Sequence, residues 1–139
     1  MATNVVPVAK AVYLSDDVIE DPQSRKVHLL GTFNAARPQG QPPFPYRPRQ
    51  ICVFAQLVGG VGEVPVHVEI VRAATEEVIY SFPEQRVRFP TRHTTISACF
   101  RVRGCIFPAP GTYIVELYCN NTFLDDRALQ LFDSQGASP

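Results

Sequence analysis

The chain has no tryptophan and only two lysines, Lys10 and Lys26, among 139 residues. Without tryptophan, stacking on sugars loses its best side chain, so a carbohydrate binder is disfavoured. Thirteen basic residues face 13 acidic ones, and the formal charge is zero. A dedicated nucleic-acid or anionic-membrane protein needs a basic field, and this chain has none. No apolar run approaches the ~18 residues that span a bilayer. The start, Met-Ala-Thr-Asn-Val-Val-Pro-Val-Ala-Lys, lacks the charged and apolar regions of a secretory signal, so the expected compartment is the cytoplasm. Cysteines occur at 52, 99, 105 and 119 with no Cys-x-x-Cys pair, so the strong zinc and redox spacings are missing. In a cytoplasmic protein all four are expected as reduced, ordinary thiols. A Gly-x-Ser-x-Gly elbow, a phosphate loop and a dinucleotide fingerprint are also missing. Gly59-Gly60-Val61-Gly62 lacks the following helix and lysine of a phosphate loop and reads as a turn.

No helical stripe lasts more than two turns, and no internal repeat is evident. What the chain has instead is alternation broken by proline and glycine. Thirteen prolines are about twice the usual share of roughly 5%. Eight main strands are expected: Val8–Ser15, Lys26–Ala35, Gln50–Val58, Val64–Arg72, Val78–Phe82, Thr94–Arg103, Thr112–Cys119 and Thr122–Phe132. Gln85–Phe89 is a further short piece, bounded by Pro83 and Pro90. Asp16-Asp17 is expected to end the first strand. Gln50–Val58 is apolar on both faces and reads as a central, doubly covered strand. Val66, Val68 and Ile70 point inward from the fourth strand, and Ile96, Ala98, Phe100 and Val102 from the strand beginning at Thr94. Asn120-Asn121 suits a tight hairpin.

Phe107-Pro-Ala-Pro-Gly111-Thr-Tyr113 is a tight corner running into a strand. A tyrosine there matches the tyrosine corner of immunoglobulin-like sandwiches, with the ring buried and the hydroxyl bonded back upstream. The expected fold is an all-β, antiparallel, immunoglobulin-like two-sheet sandwich of seven to nine strands. It forms one domain over residues 1–133, with a proline-rich loop at 36–49 and a flexible tail at 134–139.

Chemistry is harder to read. Asp16, Asp17, Glu20 and Asp21 form an acidic run that would serve as a solvated turn or, weakly, as a hard-cation site, without the spacing of calcium loops. His28, His67 and His93 are isolated. His28 with His67 would make a ligand pair only if two strands met, and Cys99 with His93 a nucleophile–base pair only if geometry allowed. Arg86 and Arg88 share one strand face, as do Arg101 and Arg103. If these strands pair, four guanidinium groups lie on one surface suited to carboxylate or phosphate; otherwise they form a solvated face. In the proline-rich loop, Phe44 and Tyr46 are either exposed at the tip as a recognition element or folded back, with Phe44 closing the end of the sandwich.

Three stretches carry a family resemblance: Ala11-Val-Tyr-Leu-Ser-Asp-Asp17, Lys26-Val-His-Leu-Leu-Gly-Thr-Phe33, and Gly111-Thr-Tyr-Ile-Val-Glu-Leu117 with the closing hairpin. The chain resembles an uncharacterised bacterial family of small cytoplasmic β-sandwich proteins. The resemblance implies the sandwich but no activity, cofactor or catalytic residue. The expected function is a non-enzymatic protein-binding or assembly module, using Phe44 and Tyr46, or Arg86, Arg88, Arg101 and Arg103, without cofactor, nucleic acid or membrane. An unprotected edge strand would allow a homodimer. The alternatives are a small metal-dependent or thiol enzyme using Asp16, Asp17, His28 or Cys99, and a small-ligand-binding sandwich.

Overall fold

A computed structural model describes residues 4–133; the expected tail at 134–139 lies outside the described residues. Nine strands follow one another: β1 (Val8–Glu20), β2 (Val27–Thr32), β3 (Ala35–Ala36), β4 (Ile51–Val58), β5 (Gly62–Arg72), β6 (Glu77–Phe89), β7 (Ile96–Val102), β8 (Gly111–Cys119) and β9 (Thr122–Leu131). There is no helix among the described residues. One sheet has the order β2-β1-β4-β7 and the other β3-β9-β8-β5-β6. All pairings are antiparallel except β3 with β9.

The alternating strands supply the core from both sheets. Val12, Leu14, Val53 and Phe100 come from the first sheet and meet Val66, Ile70, Val115 and Leu129 from the second. Phe82 reaches across to Phe100, edge to face at 5.5 Å. At one end Tyr113 is fully buried. Its hydroxyl donates to the Ala109 carbonyl at 2.7 Å and accepts from the Ala109 amide at 3.4 Å, while its ring meets Phe107 edge on at 4.9 Å. The corner read from the sequence therefore closes as expected: a buried ring needs its hydroxyl bonded, and the Pro-rich turn before it supplies both partners.

Three strands differ from the sequence reading. The first strand does not stop at Asp16-Asp17 but continues to Glu20, because the Asp17 carboxylate finds partners and β2 pairs alongside from Ser15 to Glu20. The second strand ends at Thr32, and Ala35–Ala36 moves to the other sheet beside Gln130 and Leu131. The pieces at 78–82 and 85–89 are one strand running through Pro83. β6 is an edge strand, where a missing N–H is tolerated, and the register shifts between Val66 and Val68 to absorb the extra residue.

β4 is indeed covered on both faces. Its second cover is the far half of the β1–β2 hairpin, whose Val18, Val27 and Leu29 pack with Cys52, Phe54 and Cys99 outside the first sheet. Arg101 fastens this flap. Its Nη1 donates to Asp17 Oδ1 at 3.0 Å and to Cys52 Sγ at 3.3 Å, and its Nη2 donates to the Val18 carbonyl at 3.0 Å.

Candidate functional site

The proline-rich loop folds back onto the sandwich. Tyr46 and Phe107 exchange backbone hydrogen bonds at 2.8 and 2.9 Å, and their rings stack at 6.0 Å. Phe44 and Tyr46 are half-buried against the core. Of the two placements open from the sequence, the structure has the one that returns the loop to the end of the sandwich. Tyr46 keeps one side free, and there it walls a groove of about 690 Å³ together with Asp16, Pro48, Arg49, Gln50 and Arg103.

Gln50 organises this groove. Its side-chain nitrogen donates to the Asp16 carbonyl at 3.1 Å, and its oxygen accepts from Arg103 Nε at 3.1 Å and Nη2 at 2.9 Å. The guanidinium is thereby aimed while its charge stays unneutralised. The Asp16 carboxylate lies over Gly31, where a Cβ would collide with it. Burial, and then the Asp16 charge, push the Tyr46 phenol above its usual range. Asp17 also borders the groove, but its carboxylate is engaged. A bond from the Val18 amide and the Arg101 guanidinium hold it below the usual carboxylate range.

The four-arginine surface does not form. Arg86 and Arg88 lie on β6 and Arg101 and Arg103 lie on or just beyond β7, and those strands belong to different sheets. Arg86 and Arg88 are exposed, and Arg86 faces Glu63 at 3.6 Å. Only Arg103 reaches the groove, while Arg101 is spent on the flap. The acidic run is likewise divided. Glu20 pairs with Arg25 at 2.7 Å, and Asp21 accepts from the Gln23 and Ser24 amides at 2.9 and 3.4 Å. No group of three metal-ligating side chains that would hold an ion occurs among the described residues. His28 and His67 sit on different sheets, and His67 stacks on Tyr118 at 5.0 Å. His93 is exposed in the turn at 91–94, whereas Cys99 meets Cys52 and Arg101.

Burial, followed by the Cys52 beside it, pushes the Cys99 thiol from 9.0 up to about 11, and burial pushes Cys105 from 9.0 up to about 12. Both are neutral thiols at physiological pH, which is the wrong state for a nucleophile. A raised thiol pKa stabilises the fold fully below the unfolded value near 9. That share is lost as pH climbs through the folded values. The urea midpoint should therefore hold level to about pH 8.5 and fall above pH 9, with a shallower fall for Cys99→Ala; an equal slope in the two proteins removes Cys99 from the account.

Edge exposure is uneven. By strand alternation, the Asp126 backbone groups face the open edge of β9. Its amide donates to Asp125 Oδ1 at 2.8 Å, and its carbonyl accepts from Arg127 Nη1 at 2.6 Å. Those groups are occupied, and the edge is closed to strand addition at that point. β7, by contrast, is free of proline and pairs only with β4.

Sequence comparison adds one match, spanning residues 10–132. The chain belongs to DUF6941, a family of unknown function. No curated protein matches it. The DUF6941 match takes in every strand from β2 to β9 and all but the start of β1, so the groove, the flap and the tyrosine corner all fall within the family's extent. No helix long and apolar enough to cross a membrane occurs among the described residues. Of the groove residues missed from the sequence, Arg49 is the last residue of the proline-rich loop and Gln50 follows it immediately. Their one signal was position, because a loop end next to a strand start is where a scaffold presents side chains.

Proposed function

We propose that this DUF6941 protein is a non-enzymatic binding module that takes a protein partner at the groove end of the sandwich. The observation that carries the reading is Arg103, aimed by Gln50 into a groove walled by Tyr46 and left without a carboxylate. A guanidinium held by a neutral amide is pre-organised for an incoming acceptor at little further entropy cost. Phe44 and Tyr46 serve as the apolar wall and support rather than as free anchors, since their rings are partly used by the core. Arg86 and Arg88 lie outside this surface.

The same proposal assigns the sandwich to the immunoglobulin-like class, supported by the Tyr113 hydroxyl bonded back to Ala109. It places the protein in the bacterial cytoplasm, supported by the family resemblance and by four free thiols that suit a reducing compartment. Self-association remains a second use of the fold, through the regular edge of β7.

The test is affinity capture from the native source with tagged wild-type protein beside the double variant Arg49→Glu, Arg103→Glu, read by mass spectrometry. The expected result is a stoichiometric partner on the wild type that is at least tenfold depleted on the variant. Equal capture by both moves the surface elsewhere, and recovery of the bait alone overturns the module reading. Phe44→Ser and Tyr46→Ser are poorer tests, because removing rings that pack on the core disturbs the loop as well as the surface.

A further inference from the structure

The groove holds fixed charges of both signs that do not satisfy one another. Asp16, Arg49 and Arg103 all border it, and none makes an ion pair among the described residues. Flexible opposite charges in one cleft close onto each other unless a scaffold keeps them apart. Here the scaffold is visible. Gln50 ties the Arg103 guanidinium with two hydrogen bonds. The absent Cβ of Gly31 leaves a seat for the Asp16 carboxylate. The neighbouring Asp17 and Arg101, which could have neutralised either side, are bound to each other at 3.0 Å.

The groove also continues. A hollow of about 270 Å³ shares Asp16 and Tyr46 with it and is floored by small or apolar groups, among them Gly31, Ala35 and Ala36. A third, of about 350 Å³, shares Thr32 and Phe33 with the second and ends at Tyr13 and Arg127. Together they form a path along the margin where the two sheets meet, charged at the groove end and lined by mixed polar and apolar groups beyond it, with Arg127 at the far end.

We infer that this path takes an extended peptide segment bearing a carboxylate for Arg103 and Arg49 and, a few residues on, a cation for Asp16. The inference rests on the binding-module reading and adds the chemistry of the partner. An extended chain advances about 3.3 Å per residue, so the spacing of the two charges decides whether both can be met at once. Each charge alone gains little at an exposed site, where single ion pairs are weak. Both together gain because the second contact is intramolecular.

The probes are acetylated, amidated peptides of the form Asp-Serₙ-Lys with n from zero to three, with Asn-Serₙ-Lys and Asp-Serₙ-Gln as single-charge controls. Each is titrated into the ¹⁵N-labelled full chain at low salt. One spacing is expected to bind at least tenfold tighter than both of its controls, with shifts at the Gln50 side-chain amide. Asp16→Asn should abolish the advantage of the lysine and leave that of the aspartate. Arg103→Gln should do the reverse, and Arg49→Gln, at a side chain that makes no hydrogen bond, is a second cation variant that leaves the Gln50 network in place. Doubly charged peptides no tighter than their controls at every spacing overturn the inference, as do advantages that survive all three substitutions. Saturable binding of 6-aminohexanoate with no peptide bound also overturns it and makes the groove a small-zwitterion site. A captured protein lost on Arg49→Glu, Arg103→Glu, together with failure of the charge series, leaves the module standing and removes only this chemistry.

Discussion

Tyr113→Phe is expected to lower the unfolding free energy by roughly 1–3 kcal/mol, and Tyr113→Ala by about 3–5 kcal/mol. The first change keeps the ring on Phe107 and removes only the hydroxyl. That hydroxyl is the donor to the Ala109 carbonyl at 2.7 Å and the acceptor for the Ala109 amide at 3.4 Å, so both backbone groups lose a partner in the corner between Phe107 and Gly111. A buried polar group left unmatched costs more than the hydrogen bond contributed net. The second change also removes a fully buried ring and the edge-to-face contact at 4.9 Å. Phe107 would then lean into the space, and the loop it holds through the Tyr46 bridge would loosen with it. Urea titrations with unchanged slope would measure both steps. A Tyr113→Phe protein within about 0.5 kcal/mol of wild type would show the corner to be held by packing alone.

This corner was legible because it is local. The proline pair, Gly111 and the alternation after it all lie between Pro108 and Leu117, and the chemistry of a buried phenol fixes what its oxygen must do. The inward set of β5 was legible for the same reason, since a period of two with one buried face specifies which side chains enter the core. Strand ends were less so. Asp16-Asp17 carries the signature of a turn, and only Arg101, more than eighty residues away, makes it a place where a strand can continue. Pro83 carries the signature of a strand end and is tolerated because β6 lies at an edge, a fact of sheet order.

The candidate site depends even more on sheet order. Arg86, Arg88, Arg101 and Arg103 look alike along the chain, two on each strand face. Assignment of β6 and β7 to opposite sheets gives the four residues three different environments: exposed on β6, engaged in the flap, and aimed into the groove. Gln50 is a polar residue at the start of an apolar strand and carries no pattern of its own. Its importance arises from what β1, β7 and the proline-rich loop bring beside it. Asp16 was seen as an oxygen ligand within an acidic run. The run is dispersed because each of its other members finds a partner of its own, and Asp16 is left as the carboxylate over Gly31 that borders the groove with Arg49 and Arg103.

Phe54→Ala is expected to cost about 3 kcal/mol, and to do so in a characteristic place. Phe54 points away from the main core, yet it is only 5% exposed, because the flap of the β1–β2 hairpin covers it. Without the ring, Val18 and Leu29 lose the apolar surface they cover, and what remains to hold the flap is Arg101 with Asp17 and the Val18 carbonyl. A half-exposed ion pair of this kind contributes only about 1 kcal/mol or less, so the flap should open far more often than the sandwich unfolds. Amide exchange between residues 17 and 30 should accelerate roughly a hundredfold, following about 1.4 kcal/mol per decade. Amides in β5 and β8 should change much less. Phe100→Ala, at the centre of the main core, should instead accelerate exchange across both sheets together. Uniform acceleration in Phe54→Ala would mean that the hairpin cover and the sandwich are one cooperative unit. Confinement of the change to 17–30 would mean that the hairpin opens by itself from a root at Asp16, whose carbonyl Gln50 holds, while the rest of the fold stays intact.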